Sequence, residues 1–300
     1  MIHHNDHVEP KRSSGMVEHG VGSRVPQSPD GDEPSRDDRY LSMVIDPILV
    51  CSTYKPRLGQ GNQAGLSLAD FQALYRADPF YAWFGLDNAL MYAAHKAAGG
   101  MTSVYRQIGI GCEHLFRAIL QDELGLTKDE ASWSYSVRVA KGKQRTLSLD
   151  GRIPFDALRD SAARSRVKDW IRDVCRELGV NRRIASSLIG IVFEVRQGYK
   201  SKDSKRQNAD LANAATAYSQ AYLPCVALLS MQMDDDIFTR YKAANWAMLT
   251  GQTHGGKPQD STYDFMREVV GYDLAGFFAR HAEELKAEVN RVLETLLTAT

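Results

Sequence analysis

The sequence predicts an α/β fold, a mixed central β-sheet flanked by helices, with helical regions at both ends of the chain. Three observations carry the prediction. Residues 189–197 alternate Ile189, Ile191, Phe193 and Val195, the period of two expected of a strand. Gly190 and Val192 leave the start of the opposite face free of charge, as in a strand covered on both sides. From residue 130 to 250, runs of strand length alternate with segments of helical period, the arrangement that packs helices against a sheet. Before residue 125 and after residue 262 the apolar residues recur mostly at helical spacing.

Each element has its own signal. Residues 1–39 are rich in Pro, Gly, Ser, Asp, Arg and His and poor in large apolar side chains, so they read as a disordered tail. Ordered structure is expected from residue 40, where Leu41, Val44, Ile45, Ile48 and Leu49 fall at helical or short-strand spacing. Ser67 caps a helix over 68–76, and Asp78-Pro79 breaks it. A second helix over 80–98 is expected to stop at Gly99-Gly100. A third, capped by Thr102 or Ser103, carries Val104, Ile108, Leu115 and Ile119 inward and stops at Gly125. Residues 134–140 and 146–153 alternate as a β-hairpin around Gly142, with Asp150 within the second strand. A helix over 156–178 buries Leu158, Val167, Trp170, Ile171, Val174 and Leu178. After the strand at 189–197 come a helix (203–221), a strand (223–231), a short helix (234–244) and a short strand (245–249). C-terminal helices follow over 260–300. The chain thus reads as one domain from 40 to 300: a helical region (40–125), a catalytic core (130–250) and the C-terminal helices.

The bulk properties mostly exclude. The 37 basic residues balance 37 acidic ones, so any basic surface has to be local. No apolar run approaches the ~20 residues of a membrane span, and no secretory signal is visible. Cys51, Cys112, Cys175 and Cys225 form no CxxC pair, which suits buried free thiols in a reducing cytoplasm. His3, His4 and His7 lie in the tail and no HxxxH pair falls on a helix, which argues against zinc hydrolase chemistry.

The candidate chemistry lies where the strand at 189–197 ends. Glu194 and Arg196 place charge on a strand that is otherwise buried, which is costly unless the charges are paired or bound. They can pair with each other, as side chains two apart on one face do. They can also face a ligand, since ligands bind outside the strand C-termini of such sheets. Asp150 is either a turn aspartate before Gly151 or a second carboxylate on a neighbouring strand. Glu113 is either an i, i+4 partner of Arg117 or a third carboxylate, aimed in from a helix. Two or three such groups suit Mg²⁺, which activates water and offsets charge on a phosphate. Lys200, Lys202, Lys205 and Arg206 form a basic run at a helix start, where cations are disfavoured by the helix dipole unless an anion is bound. Gln207 and Asn208 can read adenine in a major groove or merely decorate the helix.

The order of hairpin Asp, Glu-x-basic strand and polar basic helix resembles the PD-(D/E)xK nuclease fold. The strings EVRQGYKSKDSKRQNAD and MTSVYRQIGIGCEHLFRAIL resemble type II restriction endonucleases of the ApaLI-like family, over roughly residues 100–275. That resemblance implies a restriction-endonuclease-like fold and a Mg²⁺-dependent endodeoxyribonuclease. It would cut a short palindromic duplex site to leave 5′-phosphates. It implies Asp150, Glu194 and Glu113 as metal ligands, and Glu194 with Arg196, Lys200 or Lys202 as catalytic residues. Lys205, Arg206, Gln207 and Asn208 would contact DNA. Double-stranded DNA, a second copy of the chain and a cognate DNA methyltransferase of the same system are the implied partners. The sequence departs from the family in two places: Arg196 stands at the lysine position, and Leu149 stands where a proline precedes the Asp. Arginine cannot act as a general base, so a non-catalytic or non-specific DNA-binding or repair protein on the same fold is the alternative.

Overall fold

The computed structural model of this chain describes residues 35–58, 65–138, 144–198 and 204–298, with the backbone alone at 137, 138, 145 and 204–206. Residues 1–34, the turn at Gly142, and Lys200 and Lys202 lie outside the described residues.

Helix α1 (Arg36–Leu49) opens the described chain and buries Tyr40, Leu41, Val44, Ile45 and Ile48. Its first turn, residues 36–39, had been read as tail. Tertiary charge pairs hold it: Arg36 with Glu123, Arg39 with Asp122, and Arg280 with Asp37. Helix α2 (Leu68–Ala77) starts at the expected Ser67, whose hydroxyl accepts from the Asp70 N–H while the Asp70 carboxylate accepts from the Ser67 N–H, a reciprocal capping box. Asp78 breaks α2 and caps α3 (Pro79–Trp83).

Helix α4 then runs unbroken from Ala89 to Leu124. The expected stop at Gly99-Gly100 and the cap at Thr102 or Ser103 are therefore corrected. The two glycines admit neighbours: a Cβ on Gly99 would lie 2.0 Å from the Tyr54 hydroxyl, and one on Gly100 would lie 2.5 Å from Leu296. Gly125, with φ of +64°, does end the helix.

The hairpin is present as β1 (Trp133–Arg138) and β2 (Gln144–Leu149), antiparallel, with Trp133 opposite Leu149. Its second arm differs from expectation. The chain bends at Asp150 and leaves the hairpin, and β3 (Gly151–Pro154) joins a separate sheet. Helix α5 (Ser161–Glu177) begins later than expected, because the Asp160 carboxylate accepts the N–H groups of Ala162 and Ala163. A short helix not anticipated from sequence, α6 (Arg182–Ser187), leads into β4 (Gly190–Arg196). Then come α7 (Ser204–Ser219), β5 (Tyr222–Leu228), α8 (Asp235–Ala243) and β6 (Ala247–Leu249). The C-terminal region holds α9 (Thr262–Phe265), a π-helical turn (Met266–Val270), α10 (Leu274–Arg280) and α11 (Ala282–Leu297).

The main sheet has the order β3-β4-β5-β6. β3 is antiparallel to β4, and β4, β5 and β6 are parallel, so the sheet is mixed, as predicted. Its two faces differ. Ile191, Phe193 and Val195 pack with α1, α4, α5 and the C-terminal helices. Val192, Val226 and Leu228 pack with Ala214 and Ala217 of α7, Tyr241 of α8, and Trp246. All four cysteines are buried and free. Among the described residues no helix is long and apolar enough to cross a membrane.

Candidate active site

The bend at Asp150 follows from unsatisfied backbone. The Asp150 N–H donates to the Phe193 carbonyl at 2.7 Å, continuing the β3–β4 ladder. One step on, the Val195 N–H needs an acceptor that the bent strand does not supply. The Asp150 carboxylate supplies it, with Oδ2 2.8 Å from the Val195 nitrogen. Arg117 of α4 fixes the same bend, its Nε donating to the Asp150 carbonyl at 2.8 Å. Arg117 therefore does not form the i, i+4 pair with Glu113 that was one of the two readings. Glu113 sits one turn earlier on α4, half-buried, and feels the charge of Asp150, Arg196 and Arg117.

Glu194 and Arg196 lie on the α7–α8 side of β4. Their side chains are 12 % and 10 % exposed, and the Arg196 Nη2 pairs with Glu194 Oε1. The same guanidinium nitrogen is 3.4 Å from both carboxylate oxygens of Asp210. Asp210 is 4 % exposed and accepts a short hydrogen bond from the Tyr241 hydroxyl. Arg196 thus bridges two buried carboxylates. The pairing of Glu194 with Arg196, one of the two arrangements the sequence allows, is present.

Burial and mutual repulsion dominate the electrostatics. The Glu194 carboxyl is pushed well above the usual carboxylate range, by burial first and by the Asp150 charge next, against the pull of Arg196. Asp150 is also pushed up, by burial, which outweighs its hydrogen bond from Val195. Burial and then Asp150 raise Glu113 to about 7. Among the described residues, the carboxylates Glu113, Asp150, Glu194 and Asp210 interact with the guanidinium groups of Arg117 and Arg196.

This donor set is all oxygen and is rich in negative charge, which suits a hard divalent cation. Among the described residues no group of three or more His, Cys, Asp or Glu side chains converges closely enough to hold a metal by itself. The arrangement therefore fits an open site, in which one or two carboxylates are completed by water and phosphate as Mg²⁺ prefers, and does not fit a closed protein cage.

The remaining expected residues are placed as follows. Lys200 and Lys202 lie outside the described residues, as do the side chains of Lys205 and Arg206. Gln207 is buried, and its Oε1 accepts from Arg240 Nη1 at 2.7 Å; Asn208 Oδ1 accepts from Arg240 Nη2 at 2.8 Å. Both amides thus have their carbonyls held by Arg240, Gln207 in the interior and Asn208 at the surface. Asp210, Tyr241 and Arg240 were not foreseen. A signal existed in α7, where Gln207, Asp210 and Asn213 fall on the same helical stripe as Ala214 and Ala217, at three- and four-residue spacing. Comparison with models of known families, with curated proteins and with solved structures gave no match for this chain.

Proposed function

We propose that the chain is a Mg²⁺-dependent endodeoxyribonuclease on a restriction-endonuclease-like core, cutting both strands of a short palindromic duplex site. The observation that carries the reading is the gathering of buried carboxylates at the end of β4. Burial and mutual repulsion push Glu113, Asp150 and Glu194 up, and a divalent cation would offset both effects. Asp150 and Glu194 would hold the ion, with Glu113 behind them. When bound, Mg²⁺ would supply a more acidic water and charge compensation at the scissile phosphate. Asp150 is aimed by the Val195 N–H and by Arg117 acting on its own carbonyl, so its position is set before any substrate arrives. Arg196 stands as the counter-charge between Glu194 and Asp210 in a buried setting. The cation that grips the phosphate would then be Lys200 or Lys202. Water attacking the phosphorus in line would leave a 5′-phosphate. A palindrome presents its two strands to a two-fold axis, so two copies of the chain would act together.

A second reading has its own support. Arg196 already neutralises Glu194, as it would in a DNA-binding protein that has lost catalysis. One experiment separates the two. Wild-type protein and Glu194→Ala are each incubated with plasmid and Mg²⁺, and DNA binding is measured in Ca²⁺. A nuclease gives discrete fragments with 5′-phosphate ends, and the variant loses at least a hundredfold in rate while still binding DNA. Binding without cutting by the wild type would select the second reading. Neither binding nor cutting would remove both.

A further inference from the structure

A cleft of about 840 Å³ lies between α5 and α6, against the segment that leads into β4. Its floor is apolar: Phe155, Ile171, Cys175, Val180 and Leu188, of which Ile171, Cys175 and Leu188 are buried. The charged residues on its walls are all basic: Lys168, Arg172, Arg176 and Arg182. Leu188 precedes the first residue of β4 and Arg196 is its last. At ~3.3 Å per residue the cleft lies about 20 Å from the carboxylate cluster, so it is a separate site.

The lining decides what such a cleft can do. It contains no carboxylate and no imidazole. Its one thiol, Cys175, is buried and its pKa is pushed up to about 11 by that burial, so it is not a nucleophile near neutral pH. This is a place for binding and not for chemistry. Lys168 lies over the Phe155 ring, 5.4 Å from its centroid, which sets a cation at the edge of the floor. Arg172 pairs with Asp169 at 2.6 Å and Arg176 with Asp173 at 3.2 Å. These are solvent-exposed pairs within one helix, each worth little, and a ligand anion can replace them at small cost.

The same lining discriminates among anions. A nucleobase buried in the floor would need partners for its polar edge, and Ser186 is the one uncharged polar side chain on the walls. Unpaired polar groups are costly to bury. A saturated chain leaves nothing unpaired. We propose that this cleft binds a free amphipathic anion, with an unbranched alkyl chain on the apolar floor and a carboxylate or phosphate head on the basic rim. The volume is within the ordinary range for a small-molecule site.

The test is calorimetric titration of the full chain with decanoate and with decyl phosphate, both below micelle formation. Decanol serves as the uncharged control, and vesicles of phosphatidylglycerol test a membrane surface as the source of the same head group. Saturable binding with one ligand per chain is expected for both anions, with decanol at least tenfold weaker. The double variant Arg172→Ala/Arg176→Ala should lose about tenfold in affinity. Ala185→Trp, at a half-buried wall position of α6, should abolish binding with the circular dichroism spectrum unchanged. No saturable binding overturns the proposal, as does equal affinity for decanol. Binding that survives Ala185→Trp, or that occurs only on vesicles, overturns it too. Nuclease activity is not used in any arm, so the outcome is independent of the function proposed above.

Discussion

Arg196 decides what the end of β4 can do, and its partners decide what Arg196 can do. A guanidinium held between Glu194 and Asp210 keeps its charge at any accessible pH, so it faces two buried carboxylates as a counter-charge and cannot serve as a base. Asp210 is steadied in turn by the Tyr241 hydroxyl. Tyr241→Phe removes that donor from a carboxylate that is only 4 % exposed. Hydrogen bonds to buried charge contribute about 1.5–3 kcal/mol, so urea denaturation should show a loss of that size. A loss under about 0.5 kcal/mol would mean that Asp210 is satisfied without the tyrosine. The sequence made part of this legible. Alternation put Glu194 and Arg196 on one face of a buried strand, and pairing between them was one of the two readings. Asp210 was not legible as their partner. It lies fourteen residues on, beyond the turn into a crossover helix, and only the packing of α7 on the sheet brings it back. The partner of Gln207 and Asn208 was not legible for a related reason, because Arg240 comes from α8, two elements later.

Among the elements, α4 shows where local rules give way to packing. Two consecutive glycines read as a helix stop because glycine favours the left-handed C-terminal position. That conformation occurs at Gly125 and is absent at Gly99 and Gly100. Within α4 glycine instead permits close approach. A Cβ on Gly111 would lie 2.9 Å from both the Met43 carbonyl oxygen and the Val44 Cα, which are backbone atoms of α1 and cannot move independently. At Gly99 the obstacle is the far end of the Tyr54 side chain, which can swing away. An alanine in a helix interior is otherwise favoured over glycine by ~1 kcal/mol, while overpacking costs ~1–3 kcal/mol. Gly111→Ala, set against backbone, should therefore destabilise by up to about 2 kcal/mol, and Gly99→Ala should be close to neutral. Thermal unfolding of the two variants checks the order, and equal losses would refute the distinction. The sheet was more legible than the helices because the period of two recurs run after run. The bend at Asp150 was not, since the hairpin pattern runs on through it; what breaks the strand is the hydrogen-bond demand of Val195 on a neighbouring strand.

For the molecule as a whole, the carboxylate cluster joins three parts of the chain: α4 through Glu113, the bend through Asp150, and the β4–α7 crossover through Glu194 and Asp210. Repulsion within it is a strain on the entire fold and should appear in global stability. Within it Glu113 is raised from an ordinary 4.5 to about 7, by burial first and by the Asp150 charge next. Between those two values the native state holds a proton that the unfolded chain has released. Stability therefore falls as pH rises through this window and levels off above about 7. A full conversion of the shift would exceed 3 kcal/mol. Glu113 is only half-buried, and solvent screening reduces the expected loss to about 1–2 kcal/mol. Glu113→Gln should remove that part of the slope and leave the protein more stable than wild type at pH 8. The measurement is urea denaturation at half-unit steps from pH 5 to 8.5, with and without Mg²⁺. An unchanged slope in the variant would show that Glu113 does not carry the strain. Where the slope is present, Mg²⁺ held at the same cluster as proposed would relieve the repulsion it measures, and should stabilise the wild type more at pH 8 than at pH 6. A slope that Mg²⁺ leaves untouched would keep the electrostatic account of the cluster and remove the cation from it.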